Sequence, residues 1–296
     1  MKDCSKCQSK DIIKYGFNHV RGEQIQKYKC CSCGAIFSYS DRLPSIQVSD
    51  EIVCVCMDMY FEGVSYRTIQ RHLKAHYKIH VSHVTIYYWI QKYSELIKRY
   101  VDSFKPKLSA VWQIDETYLT AKGAKTINGR KYPHGFWLWV CIDTGTRYVL
   151  DMHLSLDRSQ QECDIFFENI KKAAGGQLPE IIASDGLINY ISAINRYFPN
   201  CAHVPIKHIT IDPNTSFIER MNSTIKARTK VNRGFDSFYP CQSTMTAFQI
   251  YYNYLRPHMA LNNRTPAQEA GISVEFPQRW ASLIRNSFFV VVNHYT

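Results

Sequence analysis

Val111-Trp-Gln-Ile-Asp115-Glu-Thr-Tyr-Leu-Thr120 is the stretch from which the rest of the chain can be read. β-Branched and aromatic residues dominate it and proline is absent, so it reads as a strand. Asp115 stands in its middle. A charge within a strand of this apolar character is costly unless something pairs with it. Either Asp115 marks a strand end and faces water, or it helps hold a metal ion together with carboxylates that the fold brings near. Two later places offer them. Asp185 ends the apolar run Ile181-Ile-Ala-Ser-Asp185-Gly186, and Glu219 lies in Asn214-Thr-Ser-Phe-Ile-Glu219-Arg-Met-Asn222.

The Glu219 segment has helical spacing. At 100° per residue, Phe217, Ile218, Met221 and Ile225 share one side, and Glu219, Lys226 and Lys230 share the other. Between Asn214 and Gly234, Glu219 is the only acid, against Arg220, Lys226, Arg228, Lys230 and Arg233. A solvated face usually mixes signs. One acid in a basic field suits a metal site beside a polyanion.

Around these segments the chain alternates strands and helices. Phe136 to Ile142 reads as a strand, Asp143-Thr-Gly-Thr146 as a hairpin turn, and Arg147 to Leu154 as the returning strand. Ser159 to Ala174 is a helix with Ile165, Phe166 and Ile170 inward, stopped by Gly175-Gly176. Ile181 to Asp185 is a short buried strand, Leu187 to Tyr197 a helix, and His203 to Ile206 an extended stretch. The order β-β-β-α-β-α-β-α implies an α/β core with a mixed sheet and flanking helices. The aromatic run Phe248-Gln-Ile-Tyr-Tyr-Asn-Tyr254 fits an interface or a buried core helix.

The chain has 296 residues and a formal net charge of +11. Residues 1–107 hold 17 Lys and Arg against 10 Asp and Glu, an excess of +7, and the remainder holds 19 against 15. That bias suggests a nucleic-acid partner. No apolar run reaches the roughly 18 residues a membrane helix needs, and Met1-Lys-Asp-Cys-Ser-Lys-Cys7 has no apolar signal region. A cytoplasmic, nucleoid-associated protein without a membrane partner is expected, its 11 cysteines mostly reduced or metal-bound.

Residues 1–42 carry Cys4-Ser-Lys-Cys7 and, 22 residues later, Cys30-Cys31-Ser-Cys33-Gly34. Two Cys-x-x-Cys knuckles at this separation can close a tetrahedral Zn²⁺ site, one structural ion held by Cys4, Cys7, Cys30 and Cys33. Four unrelated thiols are the alternative, and Cys31 is a spare. After a boundary at Pro44, residues 45–104 hold three helices: Asp50 to Phe61, a second capped by Ser65, and a third capped by Ser82. Two capped helices with a brief turn in a basic region look like a helix-turn-helix, whose third helix would present His83, Thr85, Tyr87, Tyr88 and Gln91 to a groove. An ordinary helical bundle has the same pattern.

The ordered set of motifs carries a resemblance. Val-Trp-Gln-Ile-Asp115-Glu-Thr-Tyr, Ser184-Asp185-Gly, Asn214-x-x-x-x-Glu219-Arg-x-Asn222-x-x-x-Lys226-x-Arg228 and Arg256-Pro-His-x-x-Leu261-x-x-Arg264-Thr-Pro266 resemble the DDE transposases of bacterial and archaeal insertion sequences, above all the insertion-sequence-six family. Asp115 to Asp185 is 70 positions and Asp185 to Glu219 is 34, which fits that family's pattern. The resemblance implies a ribonuclease-H-like catalytic domain over residues 108–272, preceded by the zinc ribbon and helix-turn-helix. It implies Asp115, Asp185 and Glu219 as ligands of Mg²⁺ (or Mn²⁺), two ions in all, with Lys226 at the DNA end and Arg220, Arg228 and Lys230 beside it. Residues 273–296 match no motif.

Oxygen ligands without a histidine cluster suit Mg²⁺ better than zinc. The function expected is DNA transposition. Water would cut at the element's end, and the freed 3′-hydroxyl would attack target DNA, on a homodimer or higher multimer holding paired ends. A nuclease of the same fold would share the acids without joining strands, and a DNA-binding regulator would lack them.

Overall fold

The computed structural model describes residue 4 and residues 9–20, 23–38, 48–123, 125–127, 130–132, 134–205, 217–230, 234–274 and 279–293. At the N-terminus β1 (Ile12–Val20), β2 (Glu23–Cys30) and β3 (Ile36–Ser38) pair in that order, β2 antiparallel to both neighbours. This ribbon buries little: Ile13, Tyr15, Phe17 and Ile36 are all exposed.

Three helices follow: α1 (Asp50–Phe61), α2 (Tyr66–Tyr77) and α3 (His83–Val101). The Ser65 hydroxyl accepts the Thr68 N–H at 3.2 Å, and the Ser82 hydroxyl accepts the Thr85 N–H at 3.0 Å. Each cap satisfies a donor that has no partner inside its helix. The apolar stripes face inward, with Val53, Cys56 and Tyr60 of α1, Ile69 and Leu73 of α2, and Ile86, Ile90 and Tyr93 of α3 fully buried.

The remaining elements build the central sheet and its covering helices. They are β4 (Val111–Thr120), a small hairpin of β5 (Lys125–Ile127) and β6 (Arg130–Tyr132), β7 (Gly135–Asp143), β8 (Val149–Ser155), α4 (Gln160–Ala173), β9 (Ile181–Ser184), α5 (Ile188–Tyr197), β10 (Ala202–Pro205), α6 (Phe217–Lys230) and α7 (Phe238–Ile250). After α7 come a π-helical turn (Tyr251–Leu255), a 3₁₀ turn (Met259–Leu261), α8 (Pro266–Glu269) and α9 (Arg279–Asn293). The five-stranded sheet has the order β10-β9-β4-β7-β8. β4, β9 and β10 run parallel, while β7 is antiparallel to β4 and to β8. This is the mixed α/β sheet with flanking helices that the alternation of elements indicates.

Alternation along the strands divides the core in two. Trp112, Ile114, Trp139 and Cys141 pack against α4 and α5 on one face. Leu119, Leu138, Val140 and Ile142 face α6 and α7, in a cluster that continues into α1, α2, α3 and α9. The three-helix segment and the sheet therefore share one apolar core. In α4 the inward residues are Cys163, Phe166, Phe167 and Ile170, whereas Ile165 is 38% exposed, against the expectation that it points inward. The aromatic run 248–254 is a core element: Asn253 exchanges side-chain hydrogen bonds with the Val149 N–H (2.9 Å) and C=O (2.8 Å), satisfying the free edge of β8. The unmatched tail forms α9, whose Trp280 donates to Asp58 at 2.6 Å and lies buried against α1.

Candidate active site and nucleic-acid interface

The register of the sheet brings the first two carboxylates together. β9 pairs with β4 through Gln113↔Ala183 and ends at Ser184. Two residues on, Asp185 comes alongside Asp115. Beyond that point, until Phe235 bonds Thr120 at the far end of β4, no described strand pairs with β4 on this side, so side chains from both its faces can meet at the open edge. The Asp115, Glu116 and Asp185 carboxylates offer oxygens that all lie within 4.8 Å of one another. Gly186, at φ +90°, turns the chain away, and a Cβ there would lie 3.4 Å from the Pro205 side chain. Asp185 accepts the Leu187 N–H at 3.1 Å, and the Ser184 hydroxyl bonds His203 at 2.8 Å, fixing the strand end.

α6 covers the same face. The Ile218 N–H donates to Gln113 at 3.1 Å, and the Asn222 amide donates to Asp115 Oδ2 at 2.7 Å. Glu219 is exposed in the first turn of α6, and no described residue makes a hydrogen bond or ion pair with its carboxylate. It stands outside the tight group of three, yet its charge reaches Asp115. Glu116 is not solvated: Arg158 donates to one oxygen at 3.0 Å and the Tyr190 hydroxyl to the other at 2.5 Å, leaving its side chain 3% exposed. Arg158 in turn stacks over Trp137, 4.2 Å from the ring centroid. Burial first, then the charges of Glu116, Asp185 and Glu219, push the Asp115 carboxyl up to about 7. Crowded acids of this kind repel one another until a cation sits between them. Carboxylate oxygens gathered this closely are the hard donors that an octahedral cation such as Mg²⁺ prefers.

A family profile described as a DDE domain matches residues 109–258. This chain belongs to the DDE transposases of insertion sequences. It is 23% identical over 207 residues to the transposase for insertion sequence element IS257 in transposon Tn4003 of Staphylococcus aureus, covering 70% of this chain and 85% of that one. The transposase for insertion sequence-like element IS431mec of Staphylococcus aureus strain Mu50 matches with the same identity and coverage. Among solved structures, the HTLV-2 integrase catalytic core domain in complex with magnesium aligns with 56% of this chain and 98% of its own, at 17% identity and a TM-score of 0.37. The matched DDE segment of the transposase contains Asp115, Asp185 and Glu219. Enzymes of this family are DNA transposases that use divalent metal ions, and the insertion-sequence-six assignment fits these relatives.

The residues assigned to DNA from the sequence fall into two groups. Arg220, Lys226 and Lys230 are exposed on α6, the last two as its spacing indicates. Tyr88 is 63% exposed on α3, and Thr85 is half-buried, its hydroxyl 2.9 Å from Ser82 in the cap. Two assignments need correction. Arg228 is 4% exposed and its guanidinium lies 3.5 Å over the Tyr60 ring, so α6 buries it against α1 instead of offering it to DNA. Gln91 is 7% exposed with neither amide atom hydrogen-bonded, because the helices covering α3 leave that position no groove to face. Tyr66, His83, Tyr87, Lys122 and Lys230 line one cavity of 960 Å³ that runs from the start of α3 to the end of α6 in the transposase.

In the N-terminal ribbon, Cys4, Cys30 and Cys33 bring their sulfurs within 4.8 Å of one another, with Cys4 and Cys33 3.6 Å apart. Sulfurs around a tetrahedral zinc lie about 3.8 Å apart for Zn–S near 2.3 Å, so the three fit such an ion. The Gly34 N–H returns to the Cys30 carbonyl at 3.0 Å, the Gly at φ +72° closing the knuckle. Cys31 is exposed and outside the group. Cys7 lies outside the described residues. Sequence reasoning did not give Glu116, Arg158 or Tyr190 a part in the site. Only the acidic pair Asp115-Glu116 signalled the first, and nothing local signals the others. No helix among the described residues is long and apolar enough to cross a membrane.

Proposed function

We propose that this transposase cuts at the ends of its insertion sequence and joins the freed 3′-hydroxyl to target DNA, with Asp115, Asp185 and Glu219 as ligands of two Mg²⁺ (or Mn²⁺) ions. The observation that carries this reading is the meeting of Asp115 with Asp185 at the open edge of β4, under the helix that bears Glu219. Bound there, divalent cations supply activation of the attacking oxygen and stabilisation of the leaving one. Glu219 is the better third ligand because both oxygens of Glu116 are engaged by Arg158 and Tyr190. Asn222 orients Asp115, and Glu116 adds negative charge behind it. Lys226, on the exposed side of α6, meets a phosphate near the cut. The mixed sheet with its helices on both faces supports a ribonuclease-H-like core. Cys4, Cys7, Cys30 and Cys33 hold one structural Zn²⁺ in a zinc ribbon. α2 and α3 act as a helix-turn-helix, with Thr85 and Tyr88 toward the element end, and the 960 Å³ cavity offers a path from there to Lys230. The protein works as a homodimer or higher multimer on paired ends, in the cytoplasm at the nucleoid.

The test is incubation of a labelled terminal-repeat duplex and a target plasmid with Mg²⁺ and the full-length protein. Cutting at the repeat boundary followed by labelled joint molecules is expected. Cutting without joint molecules would favour a nuclease, and binding without either would favour a regulator.

A further inference from the structure

α6 separates the acidic site from a second, oppositely charged one. Glu219 and Asn222 attend the carboxylates, whereas Phe217, Arg220, Met221 and Thr224, spaced i, i+3, i+4 and i+7, form a wall of a 370 Å³ cavity. Arg147 from the β7–β8 turn and Arg256, just past the π-helical turn, complete it with Tyr252 and His258. We propose that Arg147, Arg220 and Arg256 form a binding site for one backbone phosphate of a DNA strand, on the opposite side of α6 from the carboxylates. The inference builds on the DNA cutting and joining proposed above.

Three arginines converge here, and no carboxylate lies among the described residues lining the cavity. Among the described residues none of the three forms an ion pair. Their convergence shows in the electrostatics. Burial pushes the Tyr252 hydroxyl up to about 12 against the opposing pull of Arg256, Arg147 and Arg220, and Arg147 itself is lowered first by burial and also by Arg220. Like charges held together without a counterion are poised for an anion. The Arg147 guanidinium carbon lies over Phe217, 4.2 Å from its centroid, and that of Arg256 lies 6.0 Å from the centroid of Tyr252. Stacking on a ring fixes the guanidinium plane, whose N–H fork matches phosphate geometry.

The backbone supports the arrangement. Arg147 sits at φ +59°, in the left-handed region where glycine or asparagine is the ordinary occupant. An arginine kept at such a position points to a use for its side chain. The π-helical turn, a feature frequent at functional sites, places Tyr252 beneath the arginines. The loop beyond is pinned by the Arg256 N–H to the Tyr251 carbonyl at 2.9 Å and by the His258 N–H to the Arg264 carbonyl at 3.0 Å. His258, edge-on to Tyr252 at 4.7 Å, has a buried Nε2 with no hydrogen-bond partner among the described residues, a further polar atom at this site. The cavity exceeds what a lone oxyanion fills and leaves room for the adjoining sugar.

The experiment uses the full-length protein. Arginine modification by phenylglyoxal is mapped by peptide mass spectrometry, alone, with terminal-repeat duplex, and with inorganic phosphate at the same total phosphate. Strong protection of Arg147 and Arg256 by the duplex and none by inorganic phosphate is expected. Equal modification with and without DNA overturns the proposal, and equal protection by inorganic phosphate reassigns the pocket to a free ion. In a salt series, Arg147→Gln and Arg256→Gln should each lower the slope of log affinity against log salt, by about one unit in the double variant, the share of one phosphate, while Arg256→Lys keeps it. Wild-type slopes in both glutamine variants also overturn it. The same preparation is assayed for cutting and joining. If it cuts and joins but the arginines are unprotected, only the pocket falls. If the arginines are protected but nothing is cut, the pocket stands and the proposed reaction falls.

Discussion

The thiol cluster and the carboxylate cluster are built in opposite ways. Cys30 and Cys33 come from a single tight knuckle, with Cys4 delivered by a short ribbon whose apolar side chains remain exposed. Asp115 and Asp185 are brought together across 70 residues by the register of a sheet, under a packed helix that carries Glu219. Among the described residues the thiols have no apolar core to hold them, so the ion proposed there would supply the folding energy, whereas the carboxylates are held by a core that forms without one. Metal binding should therefore appear as folding energy in the ribbon and as chemistry in the sheet.

The largest effect tests the ribbon. Removing the proposed zinc by a strong chelator, or Cys4→Ser, should unfold the β1–β3 ribbon and leave the main thermal transition in place. Zinc in comparable small sites is worth about 10–16 kcal/mol of apparent binding energy. Loss of amide-exchange protection confined to the ribbon is expected, and a shift of the main transition by more than a few degrees would break the contrast.

Next in size is the loss of one carboxylate. Asp115→Asn or Asp185→Asn should reduce end cutting by about 10³-fold or more, equivalent to about 4 kcal/mol of transition-state stabilisation. In metal-free protein Asp115→Asn should not destabilise the fold. The folded carboxyl is raised to about 7 from an ordinary value of 3.8, so its contribution is present below pH 3.8 and is lost as pH rises through 7. Asp115→Asn should flatten that part of the profile, measured by denaturant melts from pH 4 to 8.

Asn222→Ala sharpens the same point from one step further out. It removes the hydrogen bond that orients Asp115, and loss of such a partner typically costs about 10–100-fold in activity or metal affinity. A variant that needs no extra Mg²⁺ and cuts at the wild-type rate would remove Asn222 from the site.

The smallest effects concern the two residues withdrawn from the DNA interface. Arg228→Met keeps the volume over Tyr60 and removes a buried charge without a hydrogen-bond acceptor among the described residues, so stability should hold within about 1 kcal/mol or rise. Its DNA salt slope should match wild type, while Lys226→Ala lowers the slope by about one unit. Gln91→Leu should be neutral or stabilising, with unchanged preference for the terminal repeat.

Periodicity and capping alone located β4, the Ser65 and Ser82 caps, all three helices of the N-terminal half and the strand–helix alternation. Each depends on neighbours within a few residues. The exposed side of α6 was legible for the same reason, since 100° per residue separates Glu219, Lys226 and Lys230 from Met221 and Ile225. The Cys-x-x-Cys spacing likewise announced the thiol cluster. What lay beyond the sequence depends on which surface meets which. Arg228 and Gln91 have polar side chains in basic, amphipathic helices, and only the contact of Arg228 with Tyr60 of α1 and the packing of α7 and α9 against α3 turn them inward. Glu116 reads as solvated until Arg158 and Tyr190, 42 and 74 residues away, close on its two oxygens. The arginine pocket joins a hairpin turn, a helix and a loop after a π-helical turn, segments with no common local pattern. Sequence determined the elements and their faces because backbone and apolar periodicity are local. Tertiary structure alone decided which charges meet, because electrostatic partners are chosen by distance in space.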